Sequence, residues 1–232
     1  MATIPFIWLG SRRSRKHPIG SKGRLLDVAR SRGLPVPNGG ILLDDLYRLL
    51  LAEQVIERRN GRISTPDSTW LHETLLAGIH FPRLDKPTAV RAAFATPDGD
   101  DAGLVALCLA QLHVDFADAQ ATSAALCAVW SAALAHEQDL RRDVLVMEMV
   151  TAQMTGTAVT HATNKTDTAA PANEDVLDLP RLRNWQRPAA DLPPFAQRLQ
   201  QLLRGVRRTF GPSNREISWV DDGQICWLIR IR

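Results

Sequence analysis

The residues best suited to chemistry in this 232-residue sequence are a lysine and the glycines that flank it. The segment Gly20-Ser21-Lys22-Gly23 stands where an apolar helical pattern begins. Free backbone N–H groups at a helix N-terminus and a lysine ammonium both favour an anion, so this segment could hold phosphate. A solvated lysine at a helix start is the ordinary alternative, and the short pattern alone does not separate the two.

Other arrangements of residues that carry out chemistry are missing from the sequence. The histidines show no H-x-x-x-H or H-E-x-x-H spacing, and none has a cysteine at metal-ligand spacing, which argues against a zinc site. The sequence contains no G-x-S-x-G elbow, no G-x-x-x-x-G-K-[ST] phosphate loop and no G-x-G-x-x-G after a strand. A bound nucleotide would therefore need another kind of site.

Composition narrows the class of protein. Hydrophobic residues make up 45% of the chain, which excludes disorder and a fibrous repeat. The 28 Lys and Arg residues against 25 Asp and Glu leave a net charge of only +3, which argues against a polycation that binds nucleic acid. Cys108, Cys127 and Cys226 cannot all pair and have no C-x-x-C spacing, which predicts a reducing compartment and no disulfide framework.

The N-terminal segment does not have the pattern of a signal peptide. The apolar run Ile4–Leu9 is too short, and its basic residues Arg12, Arg13, Arg15 and Lys16 follow it rather than precede it. No apolar stretch approaches the ~20 residues needed to span a bilayer. We therefore expect a cytoplasmic protein with no membrane partner. The basic run is typical of a solvated lead-in, with contact to phosphate or nucleic acid as the alternative.

Hydrophobic periodicity predicts the elements that must position these residues. Predicted helices cover 20–32, the segment from Asp44 and Asp45 to about Asn60-Gly61, and the ranges 70–77, 119–135 and 195–210. Predicted strands cover 88–91, 144–147 and 157–160, and a terminal hairpin pairs 216–220 with 225–231. The Thr, Ala, Asn and Pro content of 162–190 predicts a long loop.

Five parts of the chain form an ordered set of sequence matches. They are Gly20–Leu26 with Arg32–Gly39, Val90–Asp98, Leu112–Val114 with Trp130–Leu134, Val146–Val150 with Gly156–Thr160, and Glu216–Trp219 with Trp227–Arg232. In this order they resemble the ATP-binding domain of the pyruvate phosphate dikinase and phosphoenolpyruvate synthase family. The resemblance spans residues 20–232.

The resemblance implies a fold, a domain organisation and cofactors. The implied fold is α+β and ATP-grasp-like, with two subdomains and a nucleotide cleft between them. Residues 1–19 are then a basic lead-in, 20–86 the N-terminal helical part, and 87–232 the ATP-grasp core with the long loop at 162–190. The implied cofactors are ATP and Mg²⁺, and the implied reaction is phosphoryl transfer to a histidine of a mobile partner domain.

Roles carry over from the resemblance position by position. The implied nucleotide-binding positions comprise two cations for the phosphates, Lys22 and Arg91, and the strand that meets adenine, Met147, Glu148 and Met149. Glu216 matches an acidic residue of the metal-binding strand. The implied catalytic positions are Arg91, Arg230 and Arg232.

The chain departs from the family at several of these positions. Ser218 stands where the family has a metal-binding glutamate, and Arg230 stands where it has a catalytic glutamine. Ala92 and Ala93 replace a serine pair, and the glycine-rich stretch expected after Thr160 has no counterpart. Losing one electrostatic element of a phosphoryl-transfer site typically costs on the order of 100- to 1000-fold in rate.

The sequence leaves two functions open. The first is MgATP binding with phosphoryl transfer to a histidine on a separate phosphohistidine or pyruvate-binding polypeptide. The alternative is a degenerate, non-catalytic ATP-grasp module that binds nucleotide or a partner protein. Lys22 and Arg91 favour nucleotide binding, whereas Ser218 and Arg230 favour the loss of catalysis.

Overall fold

The computed structural model describes residues 5–100, 104, 109–135 and 139–232, and these residues form two compact units. Unit 1 comprises the chain up to Arg24 together with Asn38–Met149, and unit 2 comprises Leu25–Pro37 and Val150–Arg232. Each unit combines helices with an antiparallel five-stranded sheet. The predicted α+β class is confirmed. Ile4, Cys108 and His136 lie outside the described residues.

The sheet of unit 1 is antiparallel throughout and has the order β1-β2-β7-β5-β6. Its strands are β1 (Phe6–Trp8), β2 (Gly39–Leu42), β5 (Thr88–Ala92), β6 (Ala110–Val114) and β7 (Val144–Glu148). A separate hairpin pairs β3 (Glu57–Arg59) with β4 (Arg62–Ser64). The predicted strands at 88–91 and 144–147 are thus the neighbours β5 and β7.

Helices cover the sheet of unit 1 and supply much of its core. They are α1 (Ser21–Ser31), which begins in this unit, α2 (Asp44–Ala52), α3 (Ser68–Glu73) and α4 (Ala119–Ala132). Side chains of α2 and α4, including Leu50 and Trp130, pack with Val90 and Val146 of the sheet in one buried cluster. Burial of such side chains contributes about 1.5–3 kcal/mol each.

Unit 2 places one long amphipathic helix on one face of its sheet. The strand order is β10-β9-β8-β11-β12, with every pair antiparallel. The strands are β8 (Met154–Thr160), β9 (Thr166–Pro171), β10 (Leu177–Pro180), β11 (Arg215–Asp221) and β12 (Cys226–Ile231), and the helix is α5 (Pro194–Phe210). Phe195 of α5 stacks on Trp219 of β11 with ring centroids 5.9 Å apart.

The predicted loop at 162–190 is wrong, because this segment contains β9 and β10. In β9 burial alternates residue by residue, and Asp167, Ala169 and Pro171 are buried. Small and polar residues on both faces hide the period-2 pattern that normally indicates a strand. The segment forms a strand by pairing with β8, in which Ala158 lies opposite Ala169. The composition of the segment did not predict this pairing.

The second predicted helix is shorter than the sequence indicated. It ends at Ala52, and Asn60-Gly61 turns the β3–β4 hairpin with φ of 49° and 72°. Asn-Gly is the preferred pair for such a turn, because both residues adopt positive φ. Asp44 and Asp45 are also not N-caps: Leu43 holds that position, and Asp44 is the first helical residue.

Asp44 instead belongs to a buried ionic network with Asp143. The Asp44 N–H donates to Asp143 Oδ1 at 2.8 Å, and the Arg141 guanidinium lies 3.2 Å from the same oxygen. Asp143 is fully buried. Burial raises the pKa of Asp143 to about 6, because desolvation outweighs the attraction of Arg141.

The raised pKa of Asp143 predicts a distinctive pH dependence of stability. Its contribution is complete below the ordinary carboxyl pKa of about 4 and is lost as pH rises through about 6. Relative to an Asp143→Asn variant, we expect the wild-type chain to gain roughly 2–3 kcal/mol of unfolding free energy between pH 7 and pH 4. Urea titrations across that range measure the difference.

Asp139→Asn provides a control for this pH experiment, because the Asp139 side chain is 73% exposed. The control should follow the wild-type pH profile. A constant stability difference between the wild type and Asp143→Asn would contradict the raised pKa.

The structure describes two of the three cysteines. Cys127 and Cys226 are buried free thiols, and burial raises the pKa of Cys127 to about 11.

None of the helices in the described part of the chain combines the length and the apolar character required to cross a bilayer.

Candidate functional site

The start of α1 lies close to the sheet of unit 1 because Gly23 has no side chain. A Cβ at Gly23 would lie 2.7 Å from Ile41 Cδ1 on β2. Gly23 is therefore in close contact with the Ile41 side chain. This contact places the first turn of α1, in which Lys22 is the second residue, next to the strand.

A turn that follows β5 contacts the segment that leads into α1. Gly99, with φ of +86°, is so close that a Cβ there would lie 3.0 Å from the carbonyl carbon of Pro18. Thr96 fixes this turn: its N–H donates to the Asp100 carbonyl at 2.7 Å, and its hydroxyl accepts the Asp100 N–H at 3.1 Å. The segment that follows Arg91 thus returns to the segment that precedes Lys22, and both lie in unit 1.

Arg91 is a half-buried residue of β5, in register with Leu145 of β7 and Ala110 of β6. Its backbone is thereby paired on both sides, between β7 and β6. Arginine stays charged at any physiological pH and forms bidentate hydrogen bonds with phosphate oxygens.

The strand predicted to meet adenine is the end of β7. Met147 is buried and pairs with Gly39, where a Cβ would lie 2.4 Å from the carbonyl oxygen of Val146. The N–H of Glu148 donates to the Asn38 carbonyl at 2.8 Å, and the N–H of Met149 donates to the Pro87 carbonyl at 2.8 Å. Both N–H groups are engaged within unit 1, so a base at this strand end would be recognised by other groups.

The remaining predicted residues lie in unit 2, on one face of β11 and β12. Along β11, Ile217, Trp219 and Asp221 are buried on the side of α5, so Glu216 and Ser218 point to the opposite face. Arg230 of β12 pairs with Ser218 in the strand register.

Glu216, the predicted metal ligand, forms an ion pair with Arg232, a predicted catalytic residue. Arg232 Nη2 lies 2.5 Å from Glu216 Oε2, and the two residues also exchange both backbone hydrogen bonds. Both side chains are partly exposed, so the ion pair contributes at most about 1 kcal/mol to stability. The sequence did not predict this pairing.

The donor set on this face does not fit a protein-held magnesium ion. Mg²⁺ prefers several oxygen ligands, and carboxylates are the usual protein donors. Glu216 supplies one carboxylate, paired with Arg232, and Ser218 supplies a hydroxyl. Within the described ranges, no group of three or more His, Cys, Asp or Glu side chains could hold a metal.

The same face fits an anion better than a cation. Among the predicted residues of β11 and the end of β12, the two guanidinium groups outnumber the one carboxylate. The buried Nε of Arg230 makes no hydrogen bond to any described residue. A phosphate oxygen is a suitable hydrogen-bond acceptor for this N–H group.

Sequence reasoning missed Thr157, which lies on this face. It is an exposed residue of β8 and pairs with Ser218 of β11. The alternation of polar Thr155 and Thr157 with buried Ala158 was the signal that could have identified it.

No protein-family model matches the chain, and no curated protein matches it. Among solved structures, PH1788 from Pyrococcus horikoshii Ot3 is similar with a TM-score of 0.53 and 10% identity, over 97% of this chain and 94% of that one. This likeness shows a shared fold.

An ATP-grasp protein and a protein solved with ADP are also among the solved structures that match. A RimK domain protein, described as ATP-grasp, from Sphaerobacter thermophilus DSM 20745 matches with a TM-score of 0.42 and 14% identity over 89% of this chain. N5-carboxyaminoimidazole synthase from Aspergillus clavatus, solved with ADP, matches with a TM-score of 0.45 and 12% identity over 92% of this chain. The chain spans 55% and 44% of these two proteins, about half their length.

Proposed function

We propose that this chain is an ATP-grasp module that binds ATP. The observation that carries the proposal is the contact of Gly99 with Pro18 in unit 1. It joins the segment that bears Arg91 to the segment that bears Lys22, two cations suited to the phosphates of a nucleotide. The ordered sequence matches from residue 20 to residue 232 support the same proposal.

The finer part of the proposal is a relation to pyruvate phosphate dikinase and phosphoenolpyruvate synthase. In that relation Lys22 and Arg91 contact the phosphates, and the end of β7 around Met147–Met149 lies beside the base. In the same relation, Arg230 and Arg232 are the proposed catalytic positions of unit 2. Because the N–H groups of Glu148 and Met149 already have acceptors, recognition of adenine would use other groups or require those bonds to open.

Binding without phosphoryl transfer is the outcome that the site favours. Phosphoryl transfer depends on positioning and on neutralising the charge of the transferred group, a role in which metal ions are prominent. Here Ser218 offers a hydroxyl where the family has a carboxylate, and Arg232 already neutralises Glu216. We therefore propose that the chain holds ATP intact, and that a separate phosphohistidine polypeptide is a partner only if transfer occurs.

Labelled ATP tests the proposal. With the wild-type chain, we expect ATP to be retained on the protein and recovered unchanged, with or without an added phosphohistidine domain. The matched variant Lys22→Ala should retain at least about tenfold less nucleotide at subsaturating ATP. Release of AMP or ADP that requires the added domain, and that disappears in Lys22→Ala, would instead establish a split phosphotransferase.

A further inference from the structure

A groove in unit 2 is lined by four arginines, and no carboxylate is among the described residues that line it. It has a volume of about 680 Å³. The arginines are Arg32, which follows α1, and Arg198, Arg204 and Arg208 on α5. The family resemblance assigns no role to this groove.

Two glycines shape the groove, Gly205 through close packing and Gly33 through its backbone conformation. A Cβ at Gly205 on α5 would lie 2.6 Å from Leu34 Cδ2, so the helix packs directly on the segment that follows α1. Gly33 has φ of +82°, a conformation that L side chains rarely adopt, and it turns the chain so that Leu34 is buried. The buried Leu34 and helix α5 are therefore in close contact where they line the groove.

The arginines of α5 line the groove at helical spacing. Residues three to four positions apart share one face of a helix, and Arg198, Gln201, Gly205 and Arg208 form such a stripe. The stripe lies beside the apolar face that α5 buries against the sheet. The second wall carries Arg32.

Only one of the four charges is neutralised by a described carboxylate. Arg198 forms a bidentate pair with the buried Asp221, at 2.6 and 2.7 Å. Arg204 donates to the carbonyl of Gln186 at 3.0 Å, which orients it without neutralising it. Arg32 and Arg208 are exposed, and neither forms an ion pair with a described residue.

We propose that this groove binds a small molecule that carries one or more phosphate groups. Guanidinium groups match phosphate geometry through paired hydrogen bonds, and the volume lies in the usual range for small-molecule sites. The groove is on the α5 side of the sheet, whereas Glu216 and Ser218 face away from α5. It is thus a second site of unit 2, beyond the proposed nucleotide-binding residues.

The test uses inorganic pyrophosphate as the probe, titrated calorimetrically into the full chain at low ionic strength. To separate this site from the other proposed anion-binding residues, the titration is performed in a Lys22→Ala/Arg91→Ala/Arg230→Gln background. Added replacement of two exposed groove residues, Arg32→Gln/Arg208→Gln, should weaken binding at least tenfold. The control Arg58→Gln/Arg59→Gln removes the same charge from the exposed strand β3 and should leave the affinity unchanged.

Three outcomes would overturn the proposal. They are undetectable pyrophosphate binding in the background chain, equal affinity with and without the groove arginines, and equal loss in the β3 control. A labelled single-stranded oligonucleotide is titrated in parallel. If the oligonucleotide binds through Arg32 and Arg208 but pyrophosphate does not, the groove serves a nucleic acid and the small-molecule proposal is wrong. Thermal melts followed by circular dichroism establish that every variant is folded.

Discussion

We expect the Asp167→Ala variant to lose about 3–5 kcal/mol of unfolding free energy. Asp167 is a buried residue of β9, and its carboxylate pairs with Arg207 of α5 and lies 3.4 Å from Nε of Arg181. The two arginine side chains are only 14% and 22% exposed. Removal of the carboxylate leaves two poorly solvated cations in unit 2 without their counter-charge, which costs far more than the loss of a surface pair.

Denaturant titration of the full chain measures this loss, with Asp178→Ala as the matched control. Asp178 is an exposed residue of the neighbouring strand β10, so its replacement should change stability by no more than about 0.5 kcal/mol. A loss below about 1 kcal/mol in Asp167→Ala would mean that the buried pairs contribute no more than exposed ones.

The second large effect concerns ATP affinity. We expect Lys22→Ala/Arg91→Ala to weaken ATP binding about 100-fold, or ~2.8 kcal/mol, with about tenfold from each replacement. The physical reason is the loss of two positive charges from adjoining segments of unit 1. Calorimetric titration of ATP measures the change, in an Arg32→Gln/Arg208→Gln background so that the groove of unit 2 does not contribute.

Arg58→Ala/Arg59→Ala is the control for this titration, because it removes two positive charges from the exposed strand β3. The control should bind ATP like its parent. An equal loss in the control would indicate an effect of total charge. Unchanged affinity in Lys22→Ala/Arg91→Ala would mean that these segments are not the phosphate-binding elements.

Elements with strong periodicity could be predicted from the sequence. Phe195, Leu199, Leu202 and Val206 recur at three- and four-residue spacing, and they form the buried face of α5. Gly211, with φ of +81°, follows the helix where the sequence predicts its end. The terminal hairpin also forms, but its turn differs from the predicted Asp221-Asp222-Gly223, because Asp221 ends β11 and pairs with Cys226.

Elements made of small residues could not be predicted in the same way. The Ala and Thr residues of β9 bury little apolar surface, so the sequence shows almost no alternation of hydrophobic and polar residues there. The segment is held as a strand by its pairing with β8 and β10. The N-terminus of α2 was misplaced for a different reason. Asp44 has a residue type favoured at N-caps, but its carboxylate accepts the Arg142 N–H at 2.9 Å.

In the candidate site, too, the sequence did not predict which residues pair with each other. The family resemblance pointed to Glu216 and Arg232, but their ion pair depends on a register shift between Ser218 and Trp219 in the β11–β12 pair. A register shift of one residue changes which side chains share a face, and such a shift cannot be recognised from the sequence alone. The close approach of Gly99 to Pro18 is likewise a contact between distant segments.

Calorimetric titration of ATP into the unsubstituted chain, with and without Mg²⁺, tests most directly whether this protein is an ATP-binding module. We expect saturable binding whose affinity changes by less than about tenfold when magnesium is omitted, because β11 supplies no complete metal site. Absence of binding heat from a folded chain at millimolar ATP would contradict the claim that the chain binds ATP.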